Sequence, residues 1–151
     1  MNLEVNKVLV QIKLVHSRGS LPQYMTSQAA GMDVFAAIEQ EVLVKPGEIV
    51  VIPTGIAISL PVGYEAQIRP RSGLATRHGI TVINAPGTID ADYRGEIKVP
   101  IINLGDKDYI IKPLERIAQM VVTPVVKVQW KLVDELPNSE RGVGGFGHTG
   151  K

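Results

Sequence analysis

Hydrophobic and polar positions alternate in short runs along most of the chain. The segments KVLVQIKL (7–14), EVLV (41–44), EIVVIPTGIAISL (48–60), YEAQIRP (64–70), ITVIN (80–84), EIKVPIINL (96–104) and RIAQMVVTPVVKVQW (116–130) are rich in Val and Ile. Their period of about two is that of half-buried β-strands. Turn sequences separate them: KPGE, LPVGY, NAPG, LGDKD and KPLE. One short helix is expected around SGLATRHG (72–79), with Ser72 as N-cap and Gly79 as its stop. Many short strands joined by regular turns predict an all-β, jelly-roll-like sandwich.

From Pro137 the pattern ends. PNSERGVGGFGHTGK is glycine-rich and has no apolar periodicity. The chain therefore reads as a single β domain over 1–136, with a core from about Val5 to Val133, followed by a flexible arm over 137–151. No internal repeat or second domain is visible.

Composition narrows the classes of function. A chain of 151 residues, 44% hydrophobic, is long enough for one domain with a real core. Sixteen basic and fifteen acidic residues leave a net charge of +1, which supports neither a nucleic-acid nor a membrane surface. The absence of cysteine excludes disulfides, thiolate metal sites and a Cys nucleophile. The N-terminus lacks the apolar stretch of a signal peptide, and Pro53 and Gly55 interrupt the longest apolar run. A soluble, cytoplasmic protein is expected.

Two glycine patterns in the arm mislead. Gly142-x-Gly144-x-x-Gly147 fits a dinucleotide fingerprint, and Gly145-x-x-x-x-Gly150-Lys151 is most of a Walker A loop. The first needs a preceding strand and a following helix; the second needs a hydroxyl residue after Lys151. Neither context exists. Arg141, Phe146, His148, Thr149 and Lys151 are nevertheless unusual for a linker. With glycine-freed amides they make a plausible phosphate-and-base clamp.

Other stretches carry chemistry as well. RPRSGLA places Arg69, Arg71 and Ser72 ahead of the short helix, where guanidiniums and a hydroxyl suit phosphate oxygens. Asp33, in AGMDVFAA, is either a structural hydrogen bonder or an outer-shell metal partner. Gln119 sits inside an apolar strand, where a buried amide is costly unless it bonds something, usually backbone. TIDADYRGE (88–96) is either a polar hairpin tip or an active-site hairpin with a carboxylate base. The three histidines have no metal-ligand spacing.

Taken in order, AGMDVFAA, RPRSGLA, GTIDADYRGEIKV, ERIAQM and RGVGGFGHTGK resemble the five motifs of the homotrimeric deoxyuridine triphosphatases (dUTPases), over Ala30 to Lys151. The resemblance implies a jelly-roll-like subunit, a homotrimer with shared active sites, and Mg2+-assisted hydrolysis of dUTP to dUMP and pyrophosphate. Such activity lowers dUTP, keeps uracil out of DNA and supplies dUMP for dTMP synthesis. Asp90 is then the general base that activates water at the α-phosphorus. Tyr93 packs on the deoxyribose and rejects a ribose 2′-hydroxyl. The hairpin ITVINAPGTID (80–90) is the uracil slot, where Asn84, Gly87, Thr88 and Ile89 read the base edge, and Lys98 is a further substrate contact. Arg71, Ser72 and Gly73 bind phosphate from a neighbouring subunit, and Gln119 adds another phosphate contact. Asp33 holds hydrated Mg2+ through water. In the arm, Phe146 stacks on uracil, Arg141 reaches the γ-phosphate, and Gly147, His148 and Thr149 add contacts.

Two positions depart from the family pattern. Leu114 stands where the fourth motif commonly has Gly, and His148 where many members carry a small hydroxyl residue. The rival readings are a deoxycytidine triphosphate deaminase of the same fold and a nucleotide-binding regulator without turnover. The hairpin and full arm favour hydrolysis over the first, and the filled catalytic positions favour it over the second.

Overall fold

A computed structural model describes residues 7–147; Val5, His148 and Thr149 lie outside the described residues. The strands are β1 (Gln11–Leu14), β2 (Met32–Phe35), β3 (Val42–Val44), β4 (Ile49–Pro53), β5 (Ile56–Ser59) and β6 (Tyr64–Arg69). They continue, after helix α1 (Ser72–His78), as β7 (Ile80–Val82), β8 (Gly87–Ile89), β9 (Lys98–Asn103), β10 (Tyr109–Ile111) and β11 (Arg116–Pro124). The architecture is all-β, as the alternation predicts. Four antiparallel sheets have the orders β1-β5, β10-β3, β2-β11-β6-β8 and β4-β9-β7. Among the described residues no helix is long and apolar enough to cross a membrane.

Between the sheets lies a core dominated by β-branched side chains, including Val34, Val44, Ile52, Ile56, Ile80, Ile97, Val99, Ile101 and Ile111. Such residues are stiff at χ1 and pack well on a pleated surface. Thr54 and Asn103 are the buried polar residues among those described, and both are hydrogen-bonded. Asn103 donates to the carbonyls of Val44 (2.9 Å) and Lys107 (2.8 Å) and accepts from the Gly105 amide, joining β9 to β3 and to the following loop.

The structure revises three local expectations. Arg71, with φ −88° and ψ 129°, holds the N-cap position, and Ser72 is the first helical residue. Contacts of the Arg71 guanidinium keep its backbone extended, as described below. Gly79 does stop the helix: its φ is 68°, and a Cβ there would run into the Gly105 backbone.

The expected hairpins around 80–90 and 88–98 are instead crossings between sheets. β7 and β9 belong to one sheet, and β8, between them in sequence, pairs with β6 in another.

The long C-terminal strand also ends early, at Pro124. Beyond it Val126, Val128, Trp130, Leu132 and Leu136 are all exposed. Alternation predicts one covered face for 125–130, but among the described residues only Val125 is half-buried and 126–130 are all exposed.

Candidate active site

The loop from β8 to β9 carries the acidic motif. Thr88, Ile89, Asp90, Tyr93, Glu96, Ile97 and Lys98 line one shallow cavity of about 270 Å³. Asp90 is exposed at its edge, and its carboxylate has no hydrogen-bond or ion-pair partner among the described residues. The loop folds on itself: the Tyr93 amide donates to the Asp90 carbonyl (3.1 Å), and Arg94 donates to the carbonyls of Ala91 and Tyr93. The Tyr93 hydroxyl donates to the Glu96 carbonyl at 3.0 Å, with its ring against Gly95. Lys98 stands 3.9 Å from the Glu96 carboxylate.

Where the loop returns to the domain it is firmly held. The buried Thr54 hydroxyl donates to the Ile97 carbonyl at 2.5 Å, and the Ile97 amide donates to the Ile56 carbonyl. Just before β8, Asn84 is exposed and its amide lies over Gly87.

A second group of predicted residues collects around Asp33 on β2. Its carboxylate, 13% exposed, pairs with Arg71 (Nε, 3.2 Å) through one oxygen and Arg116 (Nη1, 3.1 Å) through the other. Arg71 also donates to the Arg116 carbonyl. β-pairing explains the cluster, since Gln119 on β11 lies opposite Asp33 on one side and Arg69 on the other. The Gln119 amide donates to the Pro70 carbonyl at 3.0 Å, so it has a backbone partner in this chain. Ser72 and Gly73 are exposed at the start of α1.

Arg116 is placed by a turn in which Glu115 accepts from the Lys112 amide and from the Tyr109 hydroxyl. Burial, the Glu115 hydrogen bond and the Glu115 charge push the Tyr109 pKa well above the ordinary tyrosine value, while Arg71 opposes them. Leu114 is the third residue of the same turn, with φ 60°, and its amide donates to the Ala36 carbonyl.

These two groups do not meet within one chain. β8 is antiparallel to β6, with Ile89 opposite Ala66, so Asp90 comes level with Glu65, near the Tyr64 end of β6. Arg71 lies past the Arg69 end. At about 3.3 Å per extended residue, roughly 20 Å of strand separates them.

The described part of the arm, 137–147, joins neither group. Hydrogen bonds within 139–144 are internal, including Arg141 to the Gly144 carbonyl (2.7 Å), and Phe146 and Gly147 are exposed.

Sequence reasoning missed Arg116 and Glu96. Arg116 flanks an apolar strand as countless surface arginines do, and only the β2–β11 pairing brings it to Asp33. Glu96 ends TIDADYRGE and opens the strand pattern EIKVPIINL, and neither pattern shows that its acid group is only 20% exposed.

The fit to a divalent cation is limited. Among the described residues no three His, Asp or Glu side chains converge as ligands. Both Asp33 oxygens are committed to guanidiniums. Each keeps a lone pair, which suits Asp33 to accept from a metal-bound water and not to ligate directly.

An all-β domain with anion-binding arginines at one end of a sheet and a free carboxylate beside a tyrosine at the other has the parts of a nucleotide-binding protein. Comparison with known proteins narrows the class. The dUTPase family profile matches residues 17–150. A deoxyuridine 5′-triphosphate nucleotidohydrolase of Syntrophotalea carbinolica is 54% identical over 143 residues, covering 95% of this chain and 97% of that protein. One from Rickettsia felis is 59% identical over 138 residues, covering 91% and 93%. A Staphylococcus bacteriophage 80alpha dUTPase solved with dUpNHpp superposes with a TM-score of 0.86 at 30% identity, covering 95% of this chain and 99% of that one. A mutant dUTPase from phage phi11 of S. aureus, described with a structural Mg(II) ion, superposes at 0.76 with 25% identity, covering 84% and 97%. The chain belongs to the dUTPase family.

Proposed function

We propose that this protein hydrolyses dUTP to dUMP and pyrophosphate in a homotrimer whose sites are shared between chains. Family membership supports the reaction. The observation that carries the mechanism is Asp90, an exposed carboxylate free of partners beside Tyr93 in the cavity.

Asp90 takes a proton from a water that attacks the α-phosphorus. A new P–O bond forms to the water oxygen, the bond to the α–β bridging oxygen breaks, and pyrophosphate leaves with that oxygen. Tyr93 presents its ring to the sugar, where a 2′-hydroxyl would clash and lose its bonds to water. Asn84 and the backbone of 87–89 read the uracil edge, and Lys98 contacts the substrate from β9. Asp33 would hold Mg2+ on the triphosphate by accepting from one of its water ligands, and the ion would supply neutralisation of phosphate charge.

Distance supports a shared site. Arg71, Ser72, Gly73 and Gln119 serve the phosphates, yet they lie at the far end of β6 from Asp90. They reach a substrate held at Asp90 when they come from a neighbouring subunit. The alternating segment 126–130 supports the same reading: it is exposed and pairs with no strand among the described residues, which suits a partner in another chain. The domain over 1–136 then carries an arm, 137–151, that closes over the nucleotide. Phe146 stacks on uracil, and Arg141, Gly147, His148 and Thr149 meet phosphate. A cytoplasmic location fits an enzyme that keeps uracil out of DNA and supplies dUMP.

Incubation with dUTP and magnesium should yield dUMP and pyrophosphate in equal amounts. Ammonia release from dCTP, or binding of dUTP without turnover, would overturn the reaction. Mixing Asp90→Asn subunits with arm-deleted subunits, neither active alone, should restore activity. An active monomer in light scattering would sink the shared site.

A further inference from the structure

The Tyr93 ring owes its position to very little of its own loop. Its hydroxyl donates to the Glu96 carbonyl at 3.0 Å, and its face rests on Gly95, where a Cβ would stand 2.6 Å from the ring Cζ. The ring therefore goes wherever the 95–96 backbone goes. The remaining polar contacts of residues 90–94 described above are internal to the loop, so they fix its shape and not its place on the domain.

Its place is set by residues 96 and 97. The Glu96 carboxylate accepts through Oε1 from the Gly55 amide at 2.9 Å and faces His16 Nε2 at 3.2 Å. Oε2 faces Lys98. His16 belongs to the segment after β1, which is fastened to the same turn by a Val15 amide to Gly55 carbonyl bond of 2.8 Å. One carboxylate thus joins the N-terminal segment, the β4–β5 turn and the seat of the tyrosine ring. The dUTPase reading of the site gives Glu96 no role.

We propose that Glu96, supported by His16, is a positioning residue for Tyr93 and thereby sets discrimination between deoxyribose and ribose. The inference rests on the reading of Tyr93 as the sugar-contacting ring. Steric rejection of one hydroxyl requires the ring to be held within a fraction of an ångström, so a loosened seat admits the larger sugar before it abolishes turnover.

The readout is the ratio of kcat/KM for dUTP to that for UTP, measured on the full-length protein with magnesium. A purely structural Glu96 would lower stability and both values together, leaving the ratio unchanged. Glu96→Asp keeps the charge but withdraws the carboxylate from Gly55, and it should lower the ratio by roughly tenfold or more. Glu96→Gln keeps an oxygen within reach of the Gly55 amide and should retain most of the ratio. His16→Ala should lower it by a smaller factor.

Tyr93→Ala separates the two layers of the argument. If it collapses the ratio while folded Glu96→Asp and His16→Ala leave it intact, the positioning role is wrong and the reading of Tyr93 stands. If Tyr93→Ala leaves the ratio unchanged, that reading fails and the positioning role fails with it. Should Glu96→Asp not fold, His16→Ala decides: an unchanged ratio overturns the proposal.

Discussion

The loop over 90–97 and the tail over 125–147 are both irregular, polar-tipped and exposed, yet they are attached to the molecule in opposite ways. The loop returns through Ile97, which is fully buried and bonded to Thr54 and Ile56. The tail's last tie to the domain is the Val125 amide to the Gly63 carbonyl, and nothing apolar after it is covered. A group that must act on one atom of a substrate needs a fixed seat. A group that must let substrate in and product out needs the reverse. The proposed catalytic carboxylate and the proposed clamp fall on the two sides of that division.

The sharpest way to break the comparison is Asp90→Asn. It should leave folding and dUTP binding intact and slow hydrolysis by at least ~100-fold, the scale of a lost general base. Near-normal turnover in a single-turnover assay would remove Asp90 from the chemistry. Truncation after Ser139 comes next. It should cost at least roughly tenfold in kcat/KM, because charge-assisted phosphate contacts are lost, each worth about 1.5–3 kcal/mol. Thermal stability should not move, since among the described residues removed, 140–147, no side chain is buried. A drop in melting temperature would mean the tail is part of the domain.

Smaller effects refine the anchored side. Thr54→Val keeps the shape of the buried side chain and removes its donor to Ile97. It should destabilise the domain by about 1 kcal/mol in urea titration, with a larger fractional loss of activity than the stability change alone explains. Leu114→Gly should stabilise by up to about 1 kcal/mol, because a left-handed non-glycine residue costs roughly 1–2 kcal/mol and glycine returns only part of that as unfolded-state entropy. Unchanged stability would show that the 112–115 turn relaxes around leucine at no cost.

How much of this was legible in the sequence depends on whether the determining contact was local. The all-β class follows from alternation, and the Gly79 stop from a residue type that tolerates positive φ. The turn at Leu114 was placed in doubt by the missing glycine; the structure keeps the turn and holds leucine in the left-handed region. Ser72 failed as N-cap because Arg71 is held by Asp33, 38 positions earlier in number and unreadable from propensity. Both hairpins around β8 failed for a related reason. Proximity in sequence suggested pairing, and the strands instead found partners in different sheets. Segment 125–130 shows the limit most plainly: its strand pattern is real, but alternation says only that one face wants cover and not which chain supplies it.

The roughly 20 Å of strand between Asp90 and Arg71 has a consequence for how activity scales. If each working site draws its two halves from different molecules, a dilute solution of separated chains holds every catalytic group and no catalyst. Specific activity should then fall on dilution below the assembly constant and recover on concentration. In a mixed population, one damaged chain disables the site to which it lends phosphate-binding groups as well as the site that contains its own carboxylate. Loss of function would spread beyond the altered chain, making some defective copies inhibitory in the presence of sound ones.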